Sequence, residues 1–433
     1  MYLLNILICY IDLTNLEKYV ILDCKGCGNM KDFAKKIQDI GGIAYFVGGC
    51  IRDELMNKKP HDIDVVVTGI TTSDFMNVFP KAEQTGKSFP VYRIYVKGKE
   101  IEVAFARIEE KINEGHNGFH MIFSPDITIE DDLFRRDITI NAIAKNILTD
   151  EIIDPYNGRK DIENHNIRAT SCHFSEDALR VLRVARFAAQ FNFGVDVGTL
   201  QLMKCCKEEL NKEPKERIIS EMKKALATDN PRIFFETLRE CDCLDVVFPE
   251  IYNLIGKTQP IQYHPEGDAY NHSMIVLSKV SKQTSNIVVR FAALYHDIGK
   301  GLTPIENLPH HYGHDFAGAK LIQSLDSQYE NRMKEVASFV AKNHMRVHTM
   351  KKESKIIDVL VEMKRKNISI DMFAPILMAD HDSIPIWLNK KLFDYVFQKI
   401  DLPQDMKNVN KIKNYILNLR IRRFKEEMKQ IEV

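Results

Sequence analysis

Strand-like sequence is confined to the first third of the chain, and that asymmetry limits the folds available to it. Ile43–Val47, Ile63–Val67, Val91–Val96 and Glu100–Ala104 are short runs rich in β-branched and aromatic residues, with Lys97-Gly98-Lys99 as the turn between the last two. Lys31–Ile40 carries Phe33, Ala34, Ile37 and Ile40 at helical spacing and stops at Gly41-Gly42. After Asp154-Pro155 the strand signal fades. Long amphipathic stretches take over at Asp177–Phe191, Pro214–Ala227, His272–Asp382 and Lys411–Gln430, with a loop-rich boundary at Pro249–Pro265. The pattern predicts one α/β head followed by an all-helical remainder, and 433 residues suit about three domains.

Composition excludes several classes. No apolar run approaches the roughly 18 residues that span a bilayer, so no membrane partner is expected. The 60 basic and 60 acidic residues cancel, which argues against a partner held by bulk charge. The cancellation is uneven: Arg346–Lys366 has seven basic and three acidic residues, and Lys411–Lys429 has seven and two. Such strips suit local contact with nucleic-acid phosphates. Nine cysteines, an odd number in a long chain, suit a reducing cytoplasm better than a disulfide framework. Cys24 and Cys27 have CxxC spacing without a second pair, so no metal is expected there. Met1–Tyr10 is apolar but lacks Lys and Arg, a poor signal peptide. It reads as a strand, as a docked helix, or as an extension ahead of a start at Met30.

Three constellations carry chemistry. In the first, Gly48-Gly49 and Arg52 precede Asp62 and Asp64 in strand–turn–helix–strand order. Side chains two apart on a strand share a face, so both carboxylates point the same way and repel unless a cation lies between them. Oxygen ligands of this kind suit Mg²⁺. Glycines let backbone N–H groups approach a triphosphate, and an arginine adds charge-assisted hydrogen bonds. Glu102 would place a third carboxylate on a neighbouring strand. Either motif alone favours a solvated turn with packing glycines; together they favour a site. In the second, Asp177, Arg180, Arg183 and Arg186 recur every three residues along a predicted helix capped by Ser175. A salt-bridged surface helix is the plain reading. A fixed Asp–Arg pair also matches the amino donor and ring-nitrogen acceptor shared by cytosine and adenine, and rejects guanine and uracil. In the third, nine of the fourteen histidines lie between His264 and His381. His272, His296, Asp297, His314, His344 and Asp380 fit a helical metal site of nitrogen and oxygen ligands. His296 and Asp297 are adjacent, which an ideal helix would point apart. His348 and His381 are expected at the surface or behind the ligands.

These residues resemble class II tRNA nucleotidyltransferases, the CCA-adding enzymes of the DNA polymerase beta superfamily, and among them the bacterial branch that carries an HD domain. The resemblance spans about Ile43 to His381. It implies an α+β fold: a polymerase-beta-like head with a small mixed sheet, then an all-helical neck, HD body and tail. The segments expected are an extension at 1–30, the head at 31–150, the neck at 151–255, the HD body at 256–385 and a basic tail at 386–433. It implies addition of CCA to the 3′ end of tRNA from CTP and ATP without a nucleic-acid template. Asp62 and Asp64 would be catalytic and hold Mg²⁺; Gly48, Gly49 and Arg52 would bind the triphosphate. From Arg135-Arg136-Asp137 with Thr139 and Asn141, Arg136 takes a nucleotide contact and Asp137 the ribose 2′-hydroxyl. Asp177 and Arg180 would be the amino-acid template, Arg183 a further nucleotide contact, and Arg217 and Glu221 would steady the neck. The HD residues would hold a second divalent ion such as Ni²⁺ or Mn²⁺ and remove a 2′,3′-cyclic or terminal phosphate. A cytoplasmic monomer or homodimer is expected. Rival readings are a bacterial poly(A) polymerase, a partial CC- or A-adding enzyme, and an RNA-binding protein with inert sites. Ala178 stands where proline is common in the family, and Cys50 and Ile51 where small apolar residues are.

Overall fold

The computed structural model describes residues 27–60, 62–85, 90–96, 99–111, 119–403 and 408–431. The alternatives for Met1–Tyr10 and the Cys24 half of the CxxC pair lie outside these residues. The chain divides into two compact units. The first holds the described residues of 1–110, 119–136 and 140–159; the second holds those of 111–118, 137–139 and 160–433.

A seven-stranded mixed sheet forms the first unit. Its strands are β1 (Ile43–Val47), β2 (Asp64–Thr68), β3 (Glu83–Gln84), β4 (Val91–Val96), β5 (Lys99–Phe105), β6 (Ala144–Asn146) and β7 (Ile152–Ile153), in the order β3-β4-β5-β2-β1-β6-β7. β2 and β5 run parallel; every other neighbouring pair is antiparallel. Alternation along β2 divides the core. Val65 and Val67 join a cluster with Phe33, Phe75, Val103 and Phe105, whereas Val66 joins Tyr45, Val47, Ile129 and Leu133 on the other face. Asp64 has the parity of Val66, so it leaves the sheet on the face covered by the helix Ile129–Phe134. The four strands read from sequence are present within one residue at each end. β3, β6 and β7 were not foreseen, because two or three residues carry no readable alternation.

The second unit is largely helical. Leu179–Phe191, Lys215–Leu226 and Arg232–Glu240 come first; Ala269–Ser281, Ile287–Leu294, His314–Ser324, Asn331–Asn343, Glu353–Arg365 and Ile370–His381 follow; Val409–Ile431 closes the described chain. Arg290, only 2% exposed, ties two of these helices together. Its Nη1 donates to the Leu226 and Thr228 carbonyls at 2.6 and 2.5 Å, its Nη2 to Ser281 at 2.8 Å and its Nε to Thr284 at 2.7 Å. Leu226 and Ser281 are the last residues of their helices, where carbonyls lack intrahelical partners and the dipole is negative. Replacing Arg290 with alanine should lower the unfolding free energy by roughly 2–4 kcal/mol, because buried carbonyls lose a charged donor. Denaturant titration checks this; a loss under about 0.5 kcal/mol would mean that water serves those carbonyls equally well.

Candidate active sites

In the head, the chain turns at Gly48 from β1 into the helix Gly49–Leu55. Gly48 has φ 69° and ψ −128°, a conformation that only glycine adopts without strain, and a Cβ there would meet Arg136 Nη1 at 2.8 Å. Arg136 is aimed by Asp132, which sequence reasoning missed. That buried carboxylate accepts from Arg136 Nη2 at 3.0 Å and from Arg135 Nη2 at 2.6 Å. Burial raises the Asp132 carboxyl, but the two guanidiniums outweigh it and hold it below its ordinary range. Arg52 is 7% exposed; its Nη1 donates to Asn141 Oδ1 at 2.6 Å and its Nη2 to Asp53 Oδ1 at 2.7 Å.

Asp64 opens β2 opposite Glu102 on the parallel β5, so the third carboxylate does lie beside the pair. Asp62 sits in the bend before β2, a correction to its expected place on the strand. All three carboxylates are exposed. The Asp64 carboxyl is raised above its usual value by desolvation, opposed by Arg136 and reinforced by Glu102 and Asp62. Negative charge is thus gathered where β2 begins beside the middle of β5, a donor set that a divalent cation would suit.

The arginine stripe begins later than predicted. The helix runs Leu179–Phe191 with Ala178 at its N-cap, while Asp177 stays extended and accepts the Leu179 N–H at 3.0 Å. Ser175 donates to the Cys172 carbonyl and is not the cap; the short turn Cys172–Glu176 intervenes. Arg180 is 7% exposed and donates to the His173 carbonyl at 2.8 Å. Arg183 grips Asp137 Oδ2 through Nε at 2.8 Å and Nη2 at 2.7 Å. Arg186 pairs with Glu221 at 2.6 Å, and Glu221 also takes Lys224 at 2.7 Å, while Arg217 holds Glu213 at 2.7 Å.

The histidine constellation is brought together entirely. The Ile287–Leu294 helix ends before the His296-Asp297 pair, with Tyr295 at its C-cap, so both residues lie in a turn. That resolves the conflict between their helical directions. Asp297 Oδ1 is 3.2 Å from His344 Nε2 and 3.3 Å from His314 Nε2; its Oδ2 is 3.3 Å from His296 Nε2. His272 Nε2 is 3.0 Å from Asp380 Oδ1. Burial raises the Asp297 carboxyl, but the Lys300 ammonium and the imidazoles hold it well below the carboxylate range. Nδ1 of His296, His314 and His344 lies against the Ala293, His311 and Ala341 carbonyls at 2.7, 2.6 and 2.9 Å. A carbonyl only accepts, so each Nδ1 carries the proton and each Nε2 presents a lone pair to the cluster. Those three Nε2 atoms, Asp297 Oδ1 and Asp380 Oδ2 are buried without hydrogen-bond partners. Among the described residues, the groups of three with ligand atoms within 4.8 Å of one another all fall in or beside this cluster. The donor set therefore fits a divalent ion. His348 and His381 lie half-buried behind it, rings 4.4 Å apart, with His381 Nε2 3.3 Å from Asp380 Oδ2.

Two glycines make the assembly possible. A Cβ on Gly299 would meet the His314 carbonyl at 2.0 Å and Gly318 N at 2.5 Å. Their contact lets the His314 helix close on the Asp297 turn. A glycine two residues past an HD pair was the available signal.

Three profiles match the chain in series: the poly A polymerase head domain over residues 44–168, the probable RNA and SrmB-binding site of polymerase A over 192–254, and the HD domain over 269–365. A multifunctional CCA protein of Mannheimia succiniciproducens is 44% identical over 316 residues, covering 70% of this chain and 74% of the relative. The chain belongs to the multifunctional CCA protein family. A CCA-adding enzyme solved with ATP has a TM-score of 0.65 at 21% identity, covering 93% of this chain and 90% of its own. The Thermotoga maritima CCA-adding enzyme solved with tRNA has 0.59 at 20%, covering 93% and 92%. At that identity they bear out the fold, an α/β nucleotidyltransferase head with a helical body. The chain thus joins a nucleotidyltransferase head and an HD domain, domains that imply use of divalent metal. Among the described residues no helix is long and apolar enough to cross a membrane.

Asp64→Asn should stabilise the metal-free protein at neutral pH. A carboxyl raised in the folded state costs stability above that folded value and ceases to do so as pH falls below the unfolded one. Thermal unfolding in chelator should show the gain at pH 7 and its loss near pH 3; equal curves at pH 7 would refute the crowding of charge. Gly299→Ala should cost roughly 1–3 kcal/mol by overpacking and should weaken divalent-ion binding, measured by calorimetry.

Proposed function

We propose that the protein completes and repairs the 3′ end of tRNA, adding C, C and A from CTP and ATP and trimming damaged termini at a second site. The observation that carries this is the 44% identity to a multifunctional CCA protein over 70% of this chain. The parts in this reading are a head at 31–150, a neck at 151–255, an HD body at 256–385 and a tail at 386–433. The proteins would work in the cytoplasm, as monomer or homodimer.

In the head, the 3′ oxygen of the tRNA forms a bond to the α-phosphorus of the nucleotide, and the bond from that phosphorus to the bridging oxygen breaks to release pyrophosphate. Asp62 and Asp64 would hold Mg²⁺, which lowers the charge on the phosphates and favours the ionised hydroxyl. The Gly48-Gly49 turn brings backbone N–H groups close to the triphosphate. Arg136, held by Asp132, supplies positive charge at the same turn, and Arg52 fixes the turn through Asn141 and Asp53. Asp177 and Arg180 select the base by offering an acceptor and a donor. Arg183 and Asp137, already clasped, order the ribose end. Catalysis is then mainly positioning and charge stabilisation.

In the HD body, His272, His296, Asp297, His314, His344 and Asp380 would hold a Ni²⁺ or Mn²⁺ ion, which polarises a phosphoryl oxygen and makes hydroxide available. The substrate is a 2′,3′-cyclic or terminal phosphate of RNA. The head and neck profiles are named for poly A polymerases, which makes a poly(A) polymerase the second reading; the histidine cluster weighs against it.

Labelled CTP and ATP, given singly and together with tRNA lacking CCA, should yield ordered C, C, A addition that stops. A growing A tail would favour the second reading, and no incorporation would reject both. Asp62→Ala should abolish addition while the unfolding temperature stays within about 2 °C, since an exposed carboxylate carries no core packing. Phosphate release from 2′,3′-cyclic AMP should disappear in His296→Ala.

A further inference from the structure

Three of the cluster histidines have Nδ1 held by a neutral backbone carbonyl. His272 differs. Its Nδ1 lies 2.6 Å from Glu266 Oε1, a side chain that the sequence pattern did not single out as a ligand. Glu266 sits in the loop before the Ala269–Ser281 helix and is itself fixed. His264 Nδ1 approaches the same Oε1 at 3.1 Å, and Asn271 Nδ2 donates to the Glu266 carbonyl at 3.2 Å. The His264 and His272 rings meet edge to face at 4.7 Å. On its other side His272 is 5% exposed and turns Nε2 to Asp380 at 3.0 Å and Asp297 at 3.7 Å.

We propose that Glu266 is a positioning residue of the histidine cluster, holding His272 in the tautomer and orientation that direct the Nε2 lone pair at the divalent ion. The proposal rests on the reading of the cluster as a metal site. A carboxylate is a stronger acceptor than a carbonyl, so it both fixes the proton on Nδ1 and makes Nε2 a more basic ligand. His272 stands in the first turn of its helix, as His314 opens its own, and both take their Nδ1 acceptor from the preceding loop; for His314 it is the His311 carbonyl, for His272 a carboxylate.

Full-length Glu266→Ala and Glu266→Gln, freed of metal by chelation, would be titrated with Ni²⁺ and with Mn²⁺ by calorimetry, with thermal unfolding in chelator followed alongside. The alanine variant should bind about 10–100-fold more weakly than the parent. The glutamine variant keeps a neutral acceptor for Nδ1–H and should fall between the two, with an unfolding temperature like the parent's. Parent-like affinity in the glutamine and alanine variants overturns the proposal. Equal losses in both, matched by lowered unfolding temperatures, overturn it too, because Glu266 would then be a strut of the loop. If alanine prevents folding, the glutamine variant decides: weaker binding supports the role and parent-like binding refutes it. A parent that binds neither ion refutes the metal reading itself, and this inference with it.

Discussion

A buried polar atom without a partner costs more than an ordinary hydrogen bond returns, and the second half of this chain gathers five of them in one place. Among the described residues these are three imidazole nitrogens and two carboxylate oxygens, and the three imidazoles already commit Nδ1 outward to backbone carbonyls. A divalent cation among these donors would relieve the imidazole nitrogens and Asp297 Oδ1. Much of the surrounding architecture follows from bringing them together. A helix must stop at Leu294 so that His296 and Asp297 can both face inward, and two backbones must touch at Gly299 and Gly318 so that His314 can reach Asp297.

The head solves an opposite problem. Its carboxylates stand at an open edge, where β2 begins beside β5, which leaves room for substrate. What is buried there is the machinery that aims the cations. Asp132 satisfies two adjacent arginines at once, and Asp53 with Asn141 occupies Arg52. A tightly held ion suits a buried cage; an ion that must come and go with a nucleotide suits an open edge with fixed arginines behind it.

Runs of β-branched and aromatic residues exposed the four longer strands, and a run such as Val65, Val66 and Val67 is continuous because both faces of the sheet are buried there. Glu102, flanked by Ile101 and Val103, was legible as a carboxylate on a neighbouring strand, and it pairs with Asp64 across β2 and β5. Chain order together with the resemblance to HD domains named the six residues of the cluster. What stayed hidden had no periodicity to reveal it. β6 and β7 are held by pairing to β1 and to each other, since so short a run has too little alternation to mark it. The start of the arginine helix was misplaced because Asp177 looks like a first-turn acid, whereas it stays extended and caps from outside. Glu266 and Asp132 act through other side chains, and such roles depend on long-range geometry that spacing does not encode.

Net neutrality also reads differently once the partners are known. The basic strips inferred from sequence lie largely on the helices Glu353–Arg365 and Val409–Ile431. Several of their cations are engaged within the protein: Lys425 with Glu353 at 3.1 Å, Arg423 with the Gln398 and Lys399 carbonyls at 2.7 and 3.1 Å, and Arg420 over the Phe397 ring at 4.8 Å. Glu427, buried beside them, takes Lys391 at 2.7 Å. Charge on these helices therefore fastens the tail to the body as well as decorating its surface. A phosphate backbone meeting these helices would find fewer free cations than the sequence counts suggest.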